Sequence, residues 1–413
     1  MKISILCIGD ELLKGITINT NQAFIGQELL SQGIIAEHSL VVADEALSLT
    51  NALDYLFSTS DVVVTTGGLG PTADDMTKQV IAEYLGLSFV QDAPALANLN
   101  KYWSKRHERN ELPDYVADQA MVIENSTVLQ NGQGTAPGMW LKVPDNKFGA
   151  SKYLTMLPGP PREMGPMFTD GVLPLLHKMG SSISFNKLYY IAGIAESLVE
   201  VKMQPIIEEL KNLSVAYCAS YDGVKLFLKS DSEDSTARAE VEVNNIFANN
   251  ILPENHTDLA EDVVRLLSEK NLTLSTAESC TGGKIAGRIT DVPGSSAIFP
   301  GGIVTYSNEW KEKELGVSKQ TLEEFGAVSE QCVTELVNNL MIKSGTNAGI
   351  SVSGIAGPTG GTADKPVGLV YVAVRLNDIC TVKRYEFTGN RQSVRDRTVS
   401  KALNTLRELL VAE

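Results

Sequence analysis

Two possible nucleophiles, Ser279 and Cys280, stand side by side in the stretch LSTAESCTGGKIAGRIT, just before a pair of glycines. The apolar and β-branched residues before them predict a strand that ends near Ala277, and the residues after them predict a turn and an amphipathic helix. A side chain at such a corner lies beside the backbone N–H groups that a helix leaves unpaired, at the positive end of the helix dipole. Those donors suit a phosphate or the oxyanion of an attacked acyl group. The alternative is a capped helix start that binds nothing.

A second candidate site lies in the N-terminal half, where TTGGLGPTADDMT follows a buried strand and opens a helix. Its glycines permit close approach of the backbone to a ligand. Asp74 and Asp75 are expected in the first turn of that helix, either as charges that favour its N-terminus or as metal ligands. The turns GDELLKG with NTN, and PGPPREM, follow other strands of the same half. Because ligands bind beyond the carboxyl ends of parallel strands, these turns predict one phosphate and metal site.

Composition and charge exclude several classes of protein. The chain has 413 residues with 43% apolar and 21% charged side chains, which is typical of a globular protein of two or three domains. Its formal net charge is −15 and no basic patch stands out, so nucleic-acid binding is not expected. The sequence has neither an apolar run of membrane-spanning length nor a cleavable signal pattern, and a cytoplasmic location is expected.

Cysteine and histidine usage limits the chemistry further. The five cysteines form no C-x-x-C pair, which argues against a disulfide framework and against a structural zinc site. No histidine follows His256, so a Ser–His or Cys–His pair built within the C-terminal region is excluded. A base for Ser279 or Cys280 must therefore be another kind of side chain.

Three segments must position these residues. Residues 1–170 alternate strand and helix, which predicts a doubly wound α/β domain. Residues 171–252 predict a small α+β unit with a hairpin turning at Asp222 and Gly223, and residues 253–413 predict a second α/β domain that ends in a helix over about 391–411. The expected fold is thus α/β, with two doubly wound-type domains joined by a small middle domain.

The motifs GDELLKG…NTN, TTGGLGPTADD, NGQGTAPG and LPGPPREM together resemble the CinA (competence/damage-inducible protein A) family, whose N-terminal domain is similar to molybdopterin-binding domains. TAESCTGGK, VTYSNEWK, GAVSE, SGIAGPTGG and KPVGLVYVAV resemble its C-terminal domain, a family of nicotinamide mononucleotide (NMN) amidohydrolases. The resemblance implies an ADP-ribose pyrophosphatase in the N-terminal domain and an NMN deamidase in the C-terminal domain. It also implies nucleotide ligands, a homodimer, and a divalent metal (Mg²⁺, Co²⁺ or Mn²⁺, with K⁺ as a further candidate) in the N-terminal domain only.

For the C-terminal site, the resemblance implies Ser279 as the nucleophile and Lys311 as its base, with Tyr306 orienting the serine or the amide. A Ser–Lys dyad works if burial lowers the lysine pKa; a solvated helix lysine is the alternative. Cys280 is expected as a small buried cysteine, although a helix N-terminus can also activate a thiol. Glu278 is expected only to order the turn. The substrate-binding positions expected here are Thr281, Gly282, Gly283, Ser353, Gly354, Gly357 and Arg391.

The remaining expectations concern phosphate recognition and the N-terminal domain. Arg391 lies near a helix N-terminus and is expected to hold the phosphate of NMN, whereas Lys284, Arg395 and Arg397 are expected as ordinary exposed helix residues. An N-terminal domain that binds a molybdopterin or nucleotide without turnover is the alternative to an active pyrophosphatase. Asp75 is the expected metal ligand, and the N-terminal phosphate and metal site is expected to contain Asp10, Glu11, Asn21, Gly67, Gly68, Gly70, Thr72, Asp74 and Asp75.

Overall fold

The protein is described here from a computed structural model, which covers residues 1–72, 75–106, 112, 114–148, 152–180, 185–230, 232–254, 256 and 258–413. The chain forms two compact units, Met1–Ser184 and Phe185–Glu413. Both units are α/β, as the sequence predicts, whereas the three domain boundaries stay a prediction. Across the described ranges, none of the helices combines the length and the apolar character that crossing a bilayer requires.

The first unit is built on a mixed sheet with strand order β2-β1-β3-β8-β7-β6, in which β2, β1, β3 and β8 run parallel. Every residue of β1 and β3 is buried, which fits their largely apolar sequences without polar alternation. Its strands are β1 (Ile3–Ile8), β2 (Ala36–Val42), β3 (Val62–Thr66), β4 (Phe89–Gln91), β5 (Met121–Ile123), β6 (Thr127–Leu129), β7 (Gly138–Lys142) and β8 (Tyr153–Leu157). Its helices are α1 (Asp10–Leu13), α2 (Thr20–Ser31), α3 (Ala46–Thr59), α4 (Thr77–Leu85), α5 (Ala93–Arg106), α6 (Asp114–Ala117), α7 (Asp145–Phe148), α8 (Pro161–Met167) and α9 (Leu173–Lys178).

The second unit begins with a three-stranded antiparallel sheet of order β10-β11-β9. The predicted hairpin is present, and it turns at Tyr221 and Asp222, one residue earlier than expected. The elements of this part are β9 (Phe185–Ala192), α10 (Glu196–Glu209), β10 (Leu213–Ala219), β11 (Gly223–Ser230) and α11 (Glu233–Phe247).

A five-stranded sheet of order β13-β12-β14-β15-β16 forms the rest of the second unit. β13, β12 and β14 are parallel, so their carboxyl ends meet at one edge, while β15 and β16 are antiparallel additions. The strands are β12 (Leu274–Glu278), β13 (Gly301–Val304), β14 (Ala348–Gly354), β15 (Leu369–Leu376) and β16 (Ile379–Glu386). The helices are α12 (Leu259–Glu269), α13 (Lys284–Thr290), α14 (Asn308–Leu315), α15 (Lys319–Glu324), α16 (Glu330–Ser344) and α17 (Arg391–Ala412).

One predicted helix start is wrong. α4 begins at Thr77, so Asp75 lies in the loop before the helix and not in its first turn. The Asp75 carboxylate accepts the backbone N–H of Thr72 at 3.0 Å and also the Thr72 hydroxyl. These local bonds hold the chain in a turn there, because a side chain that bonds to nearby backbone competes with the helix. Asp74 lies outside the described residues.

Candidate active site

The nucleophile turn, which we define as residues 279–283, joins β12 to α13 at the carboxyl edge of the C-terminal sheet. The Ser279 N–H donates to the Val352 carbonyl of the neighbouring strand β14 at 3.2 Å, which extends the ladder to the nucleophile. The Gly282 N–H donates back to the Ser279 carbonyl at 3.1 Å and closes the turn. Ser279 is therefore held by backbone bonds on both sides.

Of the two alternatives for the start of α13, the structure favours a capped helix. The buried carboxylate of Glu278 accepts three of the free N–H groups there, from Gly283 at 3.0 Å, Ile285 at 3.1 Å and Ala286 at 2.8 Å. A protein carboxylate thus supplies the negative charge that the helix dipole favours. Glu278 orders the turn, as expected, and the Gly283 N–H is unavailable to a ligand.

Lys311 meets Ser279 at the core of the site. The cap formed by Ser307 starts α14 so that Lys311, one turn into the helix, points inward. Its Nζ donates to Ser279 Oγ at 3.1 Å and to the Thr305 carbonyl at 2.7 Å, and the side chain is only 1% exposed. Burial lowers the pKa of Lys311 because it disfavours the charged amine. The solvated alternative for this lysine is wrong, and a buried amine within hydrogen-bond distance of a serine hydroxyl is the arrangement of a nucleophile and its base.

Cys280 is a poor candidate for the nucleophile. Its side chain is buried, and burial raises the pKa of the thiol to about 12. A thiol reacts as its thiolate, which is scarce at neutral pH when the pKa is this high. The Glu278 carboxylate adds to the rise, while Lys311 and Arg395 oppose it. Of the two side-by-side nucleophiles, the surroundings favour Ser279.

Arg391, Tyr306 and Gly357 come together at the exposed side of the site. The Arg391 guanidinium donates to the Tyr306 hydroxyl at 2.8 Å and to the Gly357 carbonyl at 2.9 Å. Gly357 has a φ of +80°, and a Cβ there would lie 2.6 Å from a methyl group of Val367. Only glycine fits this position without displacing its neighbour. Tyr306 remains 59% exposed and Arg391 is exposed, so both can reach a ligand from solvent.

The other predicted substrate contacts lie nearby but are not joined to the dyad. Ser353 is buried in β14, next to the carbonyl that receives the Ser279 N–H, and Gly354 ends the strand. Thr281 is buried, and among the described residues its Oγ1 has no hydrogen-bond partner. Gly282 and Gly283 instead line a cavity of about 660 Å³ together with Asp222. The side chains of Ser279 and Lys311 do not line that cavity, so the cavity is separate from the Ser–Lys pair.

The three charges predicted to be exposed in this region are half-buried, and one of them, Arg397, donates to the Thr388 carbonyl at 3.3 Å. Arg395 is half-buried and donates to two carbonyls of the nucleophile turn, those of Cys280 at 3.1 Å and Thr281 at 2.7 Å. Lys284 is half-buried and paired with Asp396. The signal for Arg395 was its spacing, because residues four apart share a helix face and Arg391 was already assigned to the site.

The predicted N-terminal site residues only partly converge. Glu11, Asn21 and Gly67 line a small cavity of about 70 Å³ beyond the carboxyl ends of β1 and β3. The Asn21 amide donates to Thr66 Oγ1 at 2.9 Å and to the Gly159 carbonyl at 2.6 Å, while its Oδ1 is buried without a partner among the described residues. The remaining predicted positions do not line this cavity: Asp10, Gly68, Gly70, Thr72 and Asp75.

The oxygen donors of this unit do not gather into a formed metal site among the described residues. Among the described residues, no three carboxylate, histidine or cysteine side chains gather as metal ligands. The Asp75 carboxylate and the unpartnered Asn21 Oδ1 are oxygen donors, which Mg²⁺ prefers, and Mg²⁺ commonly takes one or two protein oxygens with substrate phosphates and water. Asp10 is ion-paired with Lys14 instead, at 2.6 Å.

Two family models match separate parts of the chain, and full-length relatives match nearly all of it. The model of the CinA C-terminal domain matches residues 256–410, and that of a probable molybdopterin binding domain matches residues 4–178. A competence-damage inducible protein of Clostridium perfringens (strain 13 / Type A) is 40% identical over 99% of both chains. A CinA-like protein of Kosmotoga olearia is 39% identical over 100% of this chain and 99% of its own. A solved competence/damage inducible protein from Agrobacterium tumefaciens is 39% identical, with a TM-score of 0.36, and covers 38% of this chain and 94% of its own.

The burial of Cys280 predicts its reactivity. In the native protein at about pH 8, iodoacetamide should modify the exposed Cys218 and leave Cys280 intact, because few Cys280 thiols are ionised and the side chain is covered. Denatured protein provides the control, in which both cysteines should react. Peptide mass spectrometry measures both sites. Native Cys280 alkylated as fast as Cys218 would contradict the described environment.

Proposed function

Because the chain belongs to the CinA family, we propose that its C-terminal site hydrolyses the amide of NMN to nicotinate mononucleotide and ammonia. The observation that carries the proposal is the buried Lys311 Nζ at 3.1 Å from Ser279 Oγ. An amide is a poor electrophile, so its hydrolysis needs an activated nucleophile and a group that can return a proton to the leaving nitrogen. One lysine amine can perform both tasks in turn.

The reaction proceeds in two halves. Neutral Lys311 accepts the Ser279 proton while Oγ attacks the carboxamide carbon, and the resulting ammonium returns the proton to the departing ammonia. This leaves an ester between Ser279 and the nicotinate group. Lys311 then accepts a proton from water, whose oxygen attacks the ester, and the proton returns to Oγ as nicotinate mononucleotide leaves. The sum is one amide and one water converted to one acid and one ammonia.

Arg391 is proposed to bind the 5′-phosphate of NMN. Its guanidinium is exposed and starts a helix of 22 residues, so the helix dipole and the side-chain charge act together on an anion. Its present bonds go to a hydroxyl and a carbonyl, both neutral. A phosphate is a stronger partner than either, because charge-assisted bonds exceed neutral ones.

For the N-terminal unit, we propose hydrolysis of ADP-ribose to AMP and ribose 5-phosphate with a divalent metal. The support is the edge formed by β1, β3 and β8, where the cavity with Glu11 and Asn21 lies. A bound cation would neutralise charge on the diphosphate, with Asp75 as the proposed ligand. A molybdopterin- or nucleotide-binding module without turnover is the second candidate, favoured by the molybdopterin-domain match. The homodimer and the cytoplasmic location stay predictions.

The dyad predicts a pH dependence of ammonia release. Below its pKa Lys311 is protonated and cannot accept the serine proton, so kcat should rise with pH through a pKa lower than that of a free lysine. Lys311→Arg, which stays protonated, should lose at least about 100-fold in kcat at every pH tested. The control is Lys313→Arg on the exposed face of the same helix, which should retain the wild-type profile. Wild-type rates in Lys311→Arg would contradict the assignment.

The role of Arg391 predicts a difference between two substrates. Arg391→Ala should lower kcat/KM for NMN by about 10- to 150-fold, which corresponds to the 1.5–3 kcal/mol of a charge-assisted contact. Nicotinamide riboside lacks the phosphate and should be affected little. Arg391→Lys should recover part of the loss, since a point charge cannot reproduce the guanidinium fork. An equal effect on the two substrates would place phosphate recognition elsewhere.

The two proposed activities should be separable through Asp75. Asp75→Asn should reduce metal-dependent ADP-ribose hydrolysis by at least about tenfold, the scale on which loss of a metal-supporting contact acts. Ammonia release from NMN should remain near wild type, because Asp75 belongs to the other compact unit. Product analysis by chromatography measures both reactions on one preparation. Unchanged ADP-ribose hydrolysis would exclude Asp75 as a metal ligand, and equal loss of both would indicate damaged folding.

A further inference from the structure

The nucleophile turn is held from outside by one side chain of α17. Arg395 Nε donates to the Cys280 carbonyl at 3.1 Å, and Arg395 Nη2 donates to the Thr281 carbonyl at 2.7 Å. The two bonds reach across more than 110 residues of sequence and fix two consecutive peptide groups. The next residue of the helix, Asp396, forms an ion pair with Lys284 of α13. Helix α17 therefore contacts both the nucleophile turn and the first residue of the helix that follows it.

Fixing these carbonyls also fixes the N–H groups of the same peptides. A peptide unit is planar and trans, so its N–H points away from its carbonyl. The Cys280 carbonyl shares a peptide with the Thr281 N–H, and the Thr281 carbonyl shares one with the Gly282 N–H. Gly282 already donates to the Ser279 carbonyl. The Thr281 N–H has no acceptor among the described residues, and it faces away from the guanidinium.

The reaction needs a donor other than the N–H groups that Glu278 already occupies. Attack on an amide places negative charge on its oxygen, and preorganised N–H groups are the usual partners of that charge. Glu278 occupies the N–H groups of Gly283, Ile285 and Ala286. The unused Thr281 N–H lies two residues after Ser279 in the same turn. The charge of Arg395 on the far side of that peptide polarises it and makes its N–H a stronger donor.

We propose that Arg395 is a positioning residue that aims the Thr281 N–H at the oxyanion formed on the substrate amide. The inference rests on the proposed amide hydrolysis at Ser279. It separates the two arginines of the first turns of α17. Arg391 is proposed to recognise the substrate and to act on binding, whereas Arg395, whose hydrogen bonds among the described residues go to the turn, acts on the chemical step.

The experiment measures ammonia release from NMN by the full-length protein. Arg395→Ala should lower kcat by about 10- to 100-fold and leave KM within about threefold of the wild-type value. The loss should be smaller than that from deleting an oxyanion donor, because the Thr281 N–H itself remains. Millimolar guanidinium added to Arg395→Ala should restore part of kcat. The matched control is Arg397→Ala on the same helix, whose guanidinium contacts the Thr388 carbonyl and the Tyr221 ring. It should keep wild-type kcat and respond to guanidinium no more than wild type.

A second substrate tests the oxyanion itself. The thioamide analogue of NMN offers sulfur, a weaker acceptor, so the wild-type protein should prefer NMN strongly, and this preference should shrink in Arg395→Ala. Wild-type kcat in Arg395→Ala, or a loss that guanidinium does not restore, would overturn the inference. If guanidinium restores kcat of Arg395→Ala but this variant still prefers NMN over the thioamide as strongly as the wild-type protein does, Thr281 does not bind the oxyanion.

Folding and function have separate controls. The melting temperature is measured for each variant. If Arg395→Ala melts at a lower temperature than the wild-type protein, Arg395→Lys is used as the test variant instead. A lysine ammonium cannot donate to both carbonyls with the geometry of the guanidinium, so kcat of Arg395→Lys should fall at least about threefold. Wild-type kcat in Arg395→Lys would overturn the inference. No ammonia release from NMN by the wild-type protein would contradict the proposed function itself, whereas wild-type turnover with unaffected Arg395 variants contradicts only this inference.

Discussion

The burial of Lys311 against Ser279 is the constraint on which the C-terminal site depends. Among the described residues no carboxylate pairs with this lysine, and its partners are a hydroxyl and a backbone carbonyl. An unpaired charge in such a place is costly, so the environment favours the neutral amine. The same burial that makes a charged lysine costly lowers the pKa of Lys311 and so favours its action as a base. A carboxylate beside Lys311 would reverse this effect by favouring the charged form.

The surrounding elements pair their negative charges with local donors while holding the turn still. Glu278 is close in sequence, but its carboxylate is satisfied by three N–H groups of α13. The charges of Lys284 and Asp396 neutralise each other between α13 and α17. Arg395 then fixes the turn through its carbonyls, and Arg391 faces solvent four residues earlier. The two guanidinium groups that remain, those of Arg395 at the turn and Arg391 on the exposed side, are placed to favour an oxyanion and an anionic substrate respectively.

Sequence patterns predicted the elements well and the contacts between them poorly. Apolar periodicity located β12, β14 and the start of α17, because strand and helix faces repeat locally. The burial of Lys311 was not visible, since NEWKEKEL is a polar stretch in which one lysine resembles another. The sequence predicts an exposed position for Arg395, because nothing nearby in the sequence indicates its carbonyl partners, which lie more than 110 residues away. The predicted start of α4 is wrong because the Asp75 side chain bonds to the backbone of Thr72 and forms a turn. Helix propensity alone does not indicate this bond.

The central claim is that Ser279, activated by Lys311, attacks the amide of NMN while the adjacent thiol stays inert. Ammonia release from NMN by Ser279→Ala and Cys280→Ala, each compared with wild type at equal melting temperature, tests it most directly. The account predicts no detectable release by Ser279→Ala and near wild-type release by Cys280→Ala, since burial keeps the Cys280 thiol protonated. Retained activity in Ser279→Ala together with its loss in Cys280→Ala would contradict the account and assign the attack to the cysteine.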